Sequence, residues 1–155
     1  HCFNCQNPQT WNPDSGVPFD KSAKQEIFNE LSKNYISGIT LSGGDPIHEN
    51  NLSEVLSLVK EIRNLFPNKT IWLYTGYTWE EIRNAFVKSK EWLQSRWKDS
   101  AINRWEIISM CDVIVDGEYI DDQRDITLKW CGSSNQRVID VQKSLEQGKV
   151  VFYCD

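Results

Sequence analysis

Apolar residues recur along the chain in two alternating rhythms. Leu52, Val55, Leu56, Val59, Ile62 and Phe66 keep helical spacing up to Pro67, which predicts a helix that stops there. Ser22 with Gln25 three residues later reads as a capping box opening a helix over 22–34, with Ile27 and Leu31 on one face and Phe28 beside them. Thr78 with Glu81 opens another, running through Ile82, Phe86, Trp92 and Leu93. Between these helices lie short continuous apolar runs, 38–42 (GITLS), 70–75 (TIWLYT) and 112–116 (DVIVD). Each is followed at once by glycine, the pattern of a buried strand ending in a turn. Residues 96–106 have no clean period and read as an insertion or a helix–helix connection. The tail, 138–153, fits a helix and a strand or two short strands around Gly148. The first twenty residues are rich in Asn, Pro, Asp, Ser and Gly and read as a long loop.

Strand, helix, strand, helix, strand predicts parallel βαβ units and an α/β sheet, within a single domain spanning 1–155. Ligands of such sheets sit at the C-terminal ends of the strands. Three turns fall there: GGDP at 43–46, TGY at 75–77 and DGEY at 116–119. Each supplies glycine for close backbone approach and a polar side chain. All three are expected on one edge, together with the loop that carries Cys2 and Cys5.

Charge and composition narrow the partners. Seventeen Lys and Arg against 22 Asp and Glu leave a net charge of −5. Phosphate neutralisation needs a basic face, so nucleic acid is not the expected main partner. No apolar run reaches the ~20 residues of a membrane span, and the opening residues do not form a signal-peptide pattern. Five cysteines, odd in number and widely spaced, fit a reducing compartment better than a disulfide framework. A cytoplasmic location is the expectation.

Taken alone, Cys2-Phe3-Asn4-Cys5 reads first as half of a zinc site and less readily as a redox pair, since Asn7-Pro8 and Asn12-Pro13 point to a loop rather than to a helix start. Two thiolates do not complete a tetrahedral metal site. GGDP alone is no more than a turn. Cys111 and Cys154 sit in apolar surroundings and read as small buried hydrophobes, with Cys131 less constrained. His48 reads as a surface or capping residue. Lys88, Lys90, Arg96 and Lys98 read as a solvated helix face, or as a docking site for an acidic donor.

The motifs become specific as an ordered series. Cys2-Phe3-Asn4-Cys5, Asn7, Thr10-Trp11, Ser42-Gly43-Gly44-Asp45-Pro46, Trp72 and Thr75-Gly76-Tyr77 are followed by Val115-Asp116-Gly117 and Gly132-Ser133-Ser134-Asn135-Gln136. The series resembles the activating proteins of anaerobic ribonucleoside-triphosphate reductases, small radical S-adenosylmethionine enzymes, over nearly the whole chain. The resemblance implies a small incomplete (β/α) barrel and a C-x-x-x-C-x-x-C motif whose three thiolates hold a [4Fe–4S] cluster. Cys2 and Cys5 match the second and third ligands. The first would lie four residues before Cys2, and the family's opening strand would precede residue 1 with it.

The implied reaction is reductive cleavage of S-adenosylmethionine to methionine and a 5′-deoxyadenosyl radical. That radical generates a glycyl radical on the large subunit of the reductase, and a reduced flavodoxin-like donor recharges the cluster. By the same resemblance Gly43, Gly44 and Asp45 meet the methionine end of the cofactor, Asp45 accepting from its ammonium group. Asn4, Cys5 and Gln6 pass the adenosyl part, and Thr75, Gly76 and Tyr77 meet ribose or adenine. Residues 1–20 become the cluster-binding loop, 79–106 a helical insertion and 130–155 the C-terminal segment. Trp92, Trp97 and Trp105, read as exposed, are candidates for the reductase interface. Two positions depart from the family: Gln6 stands where Tyr is usual, and Cys131 where Arg is usual. An activase of the pyruvate formate-lyase type fits less well, given the compact length and the Gly132–Gln136 motif. A zinc-binding module of the same fold is the non-catalytic alternative.

Overall fold

The computed structural model describes residues 3–4, 7–12, 15–91 and 98–153. Among them, β1 (Gly38–Leu41), β2 (Thr70–Tyr74), β3 (Val113–Asp116) and β4 (Arg137–Asp140) form one sheet in that spatial order. The first three strands are parallel, with Ile39 beside Ile71 and Trp72 beside Val113. β4 returns antiparallel and sets Ile139 opposite Ile114. The α/β class expected from the sequence is present. Spatial order follows chain order without reversal, whereas a doubly wound sheet reverses at a switch point. The antiparallel β4 departs from an all-parallel wall.

Five helices flank the strands among the described residues: α1 (Lys21–Leu31), α2 (Leu52–Leu65), α3 (Trp79–Glu91), α4 (Lys98–Ser109) and α5 (Val141–Gln147). All five feed one core. Leu31, Val59, Ile62, Ile82, Ile107, Ile108 and Val141 pack with Ile39, Leu41, Ile71, Leu73, Ile114 and Ile139. Those strand residues are alternate positions, hence one face of the sheet. Each fully buried aliphatic side chain there stabilises by about 1.5–3 kcal/mol. The intervening Trp72 turns to the opposite face, where its ring lies 5.5 Å from that of Trp130 and 5.1 Å from that of Tyr153. No helix among the described residues is long and apolar enough to cross a membrane.

Several elements differ from the sequence expectation. The N-cap of α1 is Asp20, not Ser22: its carboxylate accepts from the N–H groups of Ser22 and Ala23, both at 2.9 Å. A carboxylate at that position also meets the positive end of the helix dipole. The Thr78–Glu81 box forms as read, Thr78 N–H donating to Glu81 at 2.7 Å and Glu81 N–H to Thr78 Oγ1 at 3.3 Å. The stretch 96–106 has no clean period, yet from Lys98 it is helix α4. Arg104 blurs the pattern because it faces inward. Its Nε donates to the Ile47 carbonyl at 3.0 Å and its guanidinium lies 4.9 Å from the Tyr77 ring. Trp105 is half-buried, stacked on Phe86 at 5.3 Å and edge-on to Trp79 at 5.4 Å, so it is packed inside rather than offered to a partner. Trp92, Trp97 and Arg96 lie outside the described residues. The tail resolves into β4, α5 and a bridge from Phe152 back to Ile139, with Gly148 in the left-handed conformation closing α5.

Candidate functional site

The turns after β1, β2 and β3 meet at one edge, as the strand order requires. Gly43, Gly44 and Asp45, then Thr75, Gly76 and Tyr77, then Gly117, Glu118 and Tyr119 line a cleft of about 560 Å³. Trp11, His48, Tyr74, Glu81 and Gln136 complete it. That volume lies within the ~300–1,000 Å³ of small-molecule sites.

Asp45 holds the first turn to the second. Its Oδ2 accepts from Thr75 Oγ1 and from Gly76 N–H, both at 2.9 Å, and its Oδ1 from Ile47 N–H at 3.1 Å. The Thr75 hydroxyl in turn accepts from Tyr77 N–H at 3.2 Å, and Thr75 is only 6 % exposed. Thr75 and Gly76 therefore spend these groups on the turn itself and shape the cleft mainly through backbone. The second turn holds the third by backbone, Gly117 N–H donating to the Tyr77 carbonyl at 3.1 Å.

Asp116, at the end of β3, is buried and points under the turns. It accepts from Trp79 N–H at 2.7 Å and from Arg137 Nε at 2.9 Å. Arg137 reaches on to Glu80 with a second pair of bonds, at 3.1 and 2.6 Å. The hydrogen bond from Arg137 holds the Glu80 carboxyl below the usual carboxylate range, against the opposing effect of burial. Arg137 is pushed well above its ordinary value by its bonds to Asp116 and Glu80.

Thr10 and Trp11 lie on this edge. A Cβ at Gly44 would sit 2.9 Å from the carbonyl oxygen of Thr10, so only glycine permits that approach. Gly43 has φ of +110° and meets the same restriction through its backbone. Asn4, at φ +55°, donates from Nδ2 to Asp121 at 3.1 Å rather than lining the cleft. Asn is among the residues that best tolerate that left-handed conformation. Cys2, Cys5 and Gln6 lie outside the described residues, as does Cys154. Burial pushes the Cys111 thiol up to about 12, and its Sγ–H donates to the Ile107 carbonyl at 3.4 Å, as befits a packed thiol. His48 Nδ1 accepts from Asn50 N–H at 3.4 Å.

The Gly132–Gln136 motif finds a structural use that the sequence left open. Gln136 Oε1 accepts from Gly132 and Ser133 N–H, at 2.9 and 3.2 Å, while its Nε2 donates to the Gly117 carbonyl at 3.0 Å. Asn135 Nδ2 donates to the Glu118 carbonyl at 2.8 Å. Together they fix the third turn. The sequence places DGEY at the ligand edge without assigning Glu118 or Tyr119 a contact of its own, and nothing nearby marks Asp121.

The charge of the cleft is one-sided. Asp45, Glu81 and Glu118 line it, and among the described residues of the lining none is Lys or Arg. Such a lining attracts a cation and repels a polyphosphate.

Residues 1–139 match the family described as a 4Fe-4S single cluster domain. That match defines the class: a single-cluster iron–sulfur domain on an α/β sheet. The anaerobic ribonucleoside-triphosphate reductase-activating protein of Escherichia coli K12 is 37 % identical over 139 residues, covering 88 % of this chain and 79 % of its own. The protein of the same name from Enterobacteria phage T4 is 36 % identical over 139 residues, covering 88 % and 74 %. That of Haemophilus influenzae is 35 % identical over 137 residues, covering 87 % and 77 %. No solved structure matches. The chain belongs to the family of anaerobic ribonucleoside-triphosphate reductase-activating proteins.

Proposed function

We propose that this chain installs the glycyl radical of an anaerobic ribonucleoside-triphosphate reductase, using a [4Fe–4S] cluster and S-adenosylmethionine. The observation that carries the reading is the acidic, glycine-floored cleft at the strand ends, with the Thr10 carbonyl laid against Gly44. S-adenosylmethionine bears a sulfonium, an ammonium and a carboxylate, a net positive charge that suits this lining. A nucleoside triphosphate does not suit it, which agrees with an activator acting on the reductase polypeptide rather than on its nucleotide substrate.

Cys2 and Cys5 are two of the cluster thiolates in this reading, and the third precedes residue 1. When bound, the cluster supplies the electron that splits S-adenosylmethionine into methionine and the 5′-deoxyadenosyl radical that oxidises the target glycine. The chain's own residues bind and orient. Gly43 and Gly44 bring backbone to the methionine end, and Asp45 adds negative charge there while holding Thr75 and Gly76 in place. Thr75, Gly76 and Tyr77 form the wall toward ribose and adenine, and Asn4, Cys5 and Gln6 the approach to the adenosyl group. The singly wound strands, with one helical layer on one face, support reading the sheet as part of an incomplete (β/α) barrel. A reduced flavodoxin-like donor in the cytoplasm supplies the electron.

The test is anaerobic turnover of the full-length protein, reduced and given S-adenosylmethionine. The expected product is 5′-deoxyadenosine, from protein holding about four irons and four sulfides per chain. One zinc with no sulfide, and no 5′-deoxyadenosine, would overturn the proposal.

A further inference from the structure

Asp121 stands outside the cleft yet joins two parts of the site. Its Oδ1 accepts from the Tyr119 hydroxyl at 2.7 Å and its Oδ2 from Asn4 Nδ2 at 3.1 Å. Asn4 lies in sequence between Cys2 and Cys5. The carboxylate thus ties the third turn of the cleft to the Cys-x-x-Cys segment, across 117 residues of chain.

The base from which it does so is stiff. Asn135 and Gln136 bond the carbonyls of Glu118 and Gly117, and Ile120 N–H donates to Ser133 Oγ at 3.2 Å, so Tyr119 is braced on both sides. A Cβ at Gly132 would come within 3.1 Å of the Tyr119 ring, so glycine there lets the ring pack against the motif. Asp121 opens a single 3-10 turn, Asp121–Gln123, and its carboxylate turns toward Tyr119 and Asn4.

We infer that Asp121 is a positioning residue for the Cys2–Cys5 segment, with Gly132–Gln136 as the rigid base behind it. The inference rests on reading that segment as cluster-binding. It gives the motif near the C-terminus a task at the opposite end of the chain: holding Asn4, which lies between the two cysteines in sequence, to the third turn of the cleft.

The experiment compares full-length, cluster-loaded wild type with Asp121→Ala, Asp121→Asn and, as a control, the exposed neighbour Asp122→Ala. Two readouts are taken: amide hydrogen exchange of peptides covering 3–12, and the rate at which a chelator bleaches the iron–sulfur absorption. Asp121→Ala is expected to speed both by about five- to tenfold, the effect of losing one charge-assisted contact. Peptides covering 132–140 should exchange as in wild type. Asp121→Asn should restore most of the loss, because its amide oxygen accepts from Tyr119 while its N–H meets the Asn4 oxygen once the Asn4 amide turns over. Asp122→Ala should match wild type. Unchanged exchange of 3–12 in Asp121→Ala overturns the inference. So does faster exchange throughout the chain, which would make Asp121 a general fold contact. Should wild type yield no 5′-deoxyadenosine while the contrast in exchange persists, the proposed function fails and the anchor stands.

Discussion

Replacing Asp45 separates two roles for its carboxylate, a direct acceptor for the ligand's ammonium group or a clamp between turns. The structure gives the clamp three donors: Thr75 Oγ1, Gly76 N–H and Ile47 N–H. In Asp45→Asn one acceptor oxygen remains. If the amide oxygen faces Thr75 and Gly76, Ile47 N–H meets an NH₂ group. With the amide reversed, Gly76 N–H meets it, while the Thr75 hydroxyl can rotate to accept. Either orientation strands one N–H, at a cost of about 1–2 kcal/mol. Asp45→Ala removes the acceptor of all three donors, about 2–3 kcal/mol, since the exposed Gly76 N–H turns to water and neighbouring contacts do not add in full. Urea unfolding at constant slope measures these losses, and titration with S-adenosylmethionine measures affinity in the same variants. A clamp predicts that stability and affinity fall together. It also predicts that Asp45→Asn and Thr75→Val couple by at least about 0.5 kcal/mol in a double-mutant cycle. Asp45→Asn with unchanged stability and tenfold weaker binding would refute the clamp and leave the carboxylate acting on the ligand.

Other perturbations probe the frame around the cleft. Arg137→Met leaves buried Asp116 without its cation and should cost about 3–5 kcal/mol, read as a fall in Tm; an unchanged Tm would contradict the pairing. Glu80 has its folded value lowered by Arg137. Its contribution is therefore complete above the unfolded value of about 4.3 and is lost as pH falls through the lower folded value. Glu80→Gln should flatten stability against pH in that acid window and leave its shape near neutrality alone, which unfolding at a series of pH values will check. Gly44→Ala places a methyl 2.9 Å from the Thr10 carbonyl. It should weaken S-adenosylmethionine binding several-fold in calorimetric titration and lower stability by about 1 kcal/mol, because the methyl meets backbone that has to give way; undiminished binding would show that Thr10 need not lie where it does.

What the sequence revealed depended on whether a signal was local. VIVD reads as a continuous apolar run because every residue of β3 is buried, whereas GITL and TIWLY are legible as short β-rich runs closed by glycine although their buried positions alternate with more exposed ones. Their terminal turns were visible for the same reason. Helix α4 was not, because Arg104 and Trp105 both turn inward and no polar stripe survives. The Thr78–Glu81 box was legible at four residues' range. The cap of α1 is hidden in the sequence because Ser22 also suits the pattern, whereas in the fold Asp20 takes the N–H groups of Ser22 and Ala23 ahead of it. Asp45 was recognisable as a site residue but not as a clamp, since its partners lie thirty residues on. Asp121 carried no signal at all, because its meaning depends on Tyr119 and Asn4 meeting in space.

These long-range contacts share one geometric cause. Since the strands lie in chain order, each turn at the sheet edge is the neighbour of the next one to be made. Asp45 bonds Gly76, Tyr77 bonds Gly117, and Gly117 bonds Gln136, so every joint links consecutive turns. The N-terminal segment closes on both ends of this series, through Thr10 at Gly44 and Asn4 at Asp121. A shift in one turn therefore has a covalent or hydrogen-bonded route to the next, and the cleft's shape belongs to the whole edge. In a doubly wound sheet the reversal of strand order would interrupt such a series, and the first and last turns would not be bridged by one segment of twenty residues.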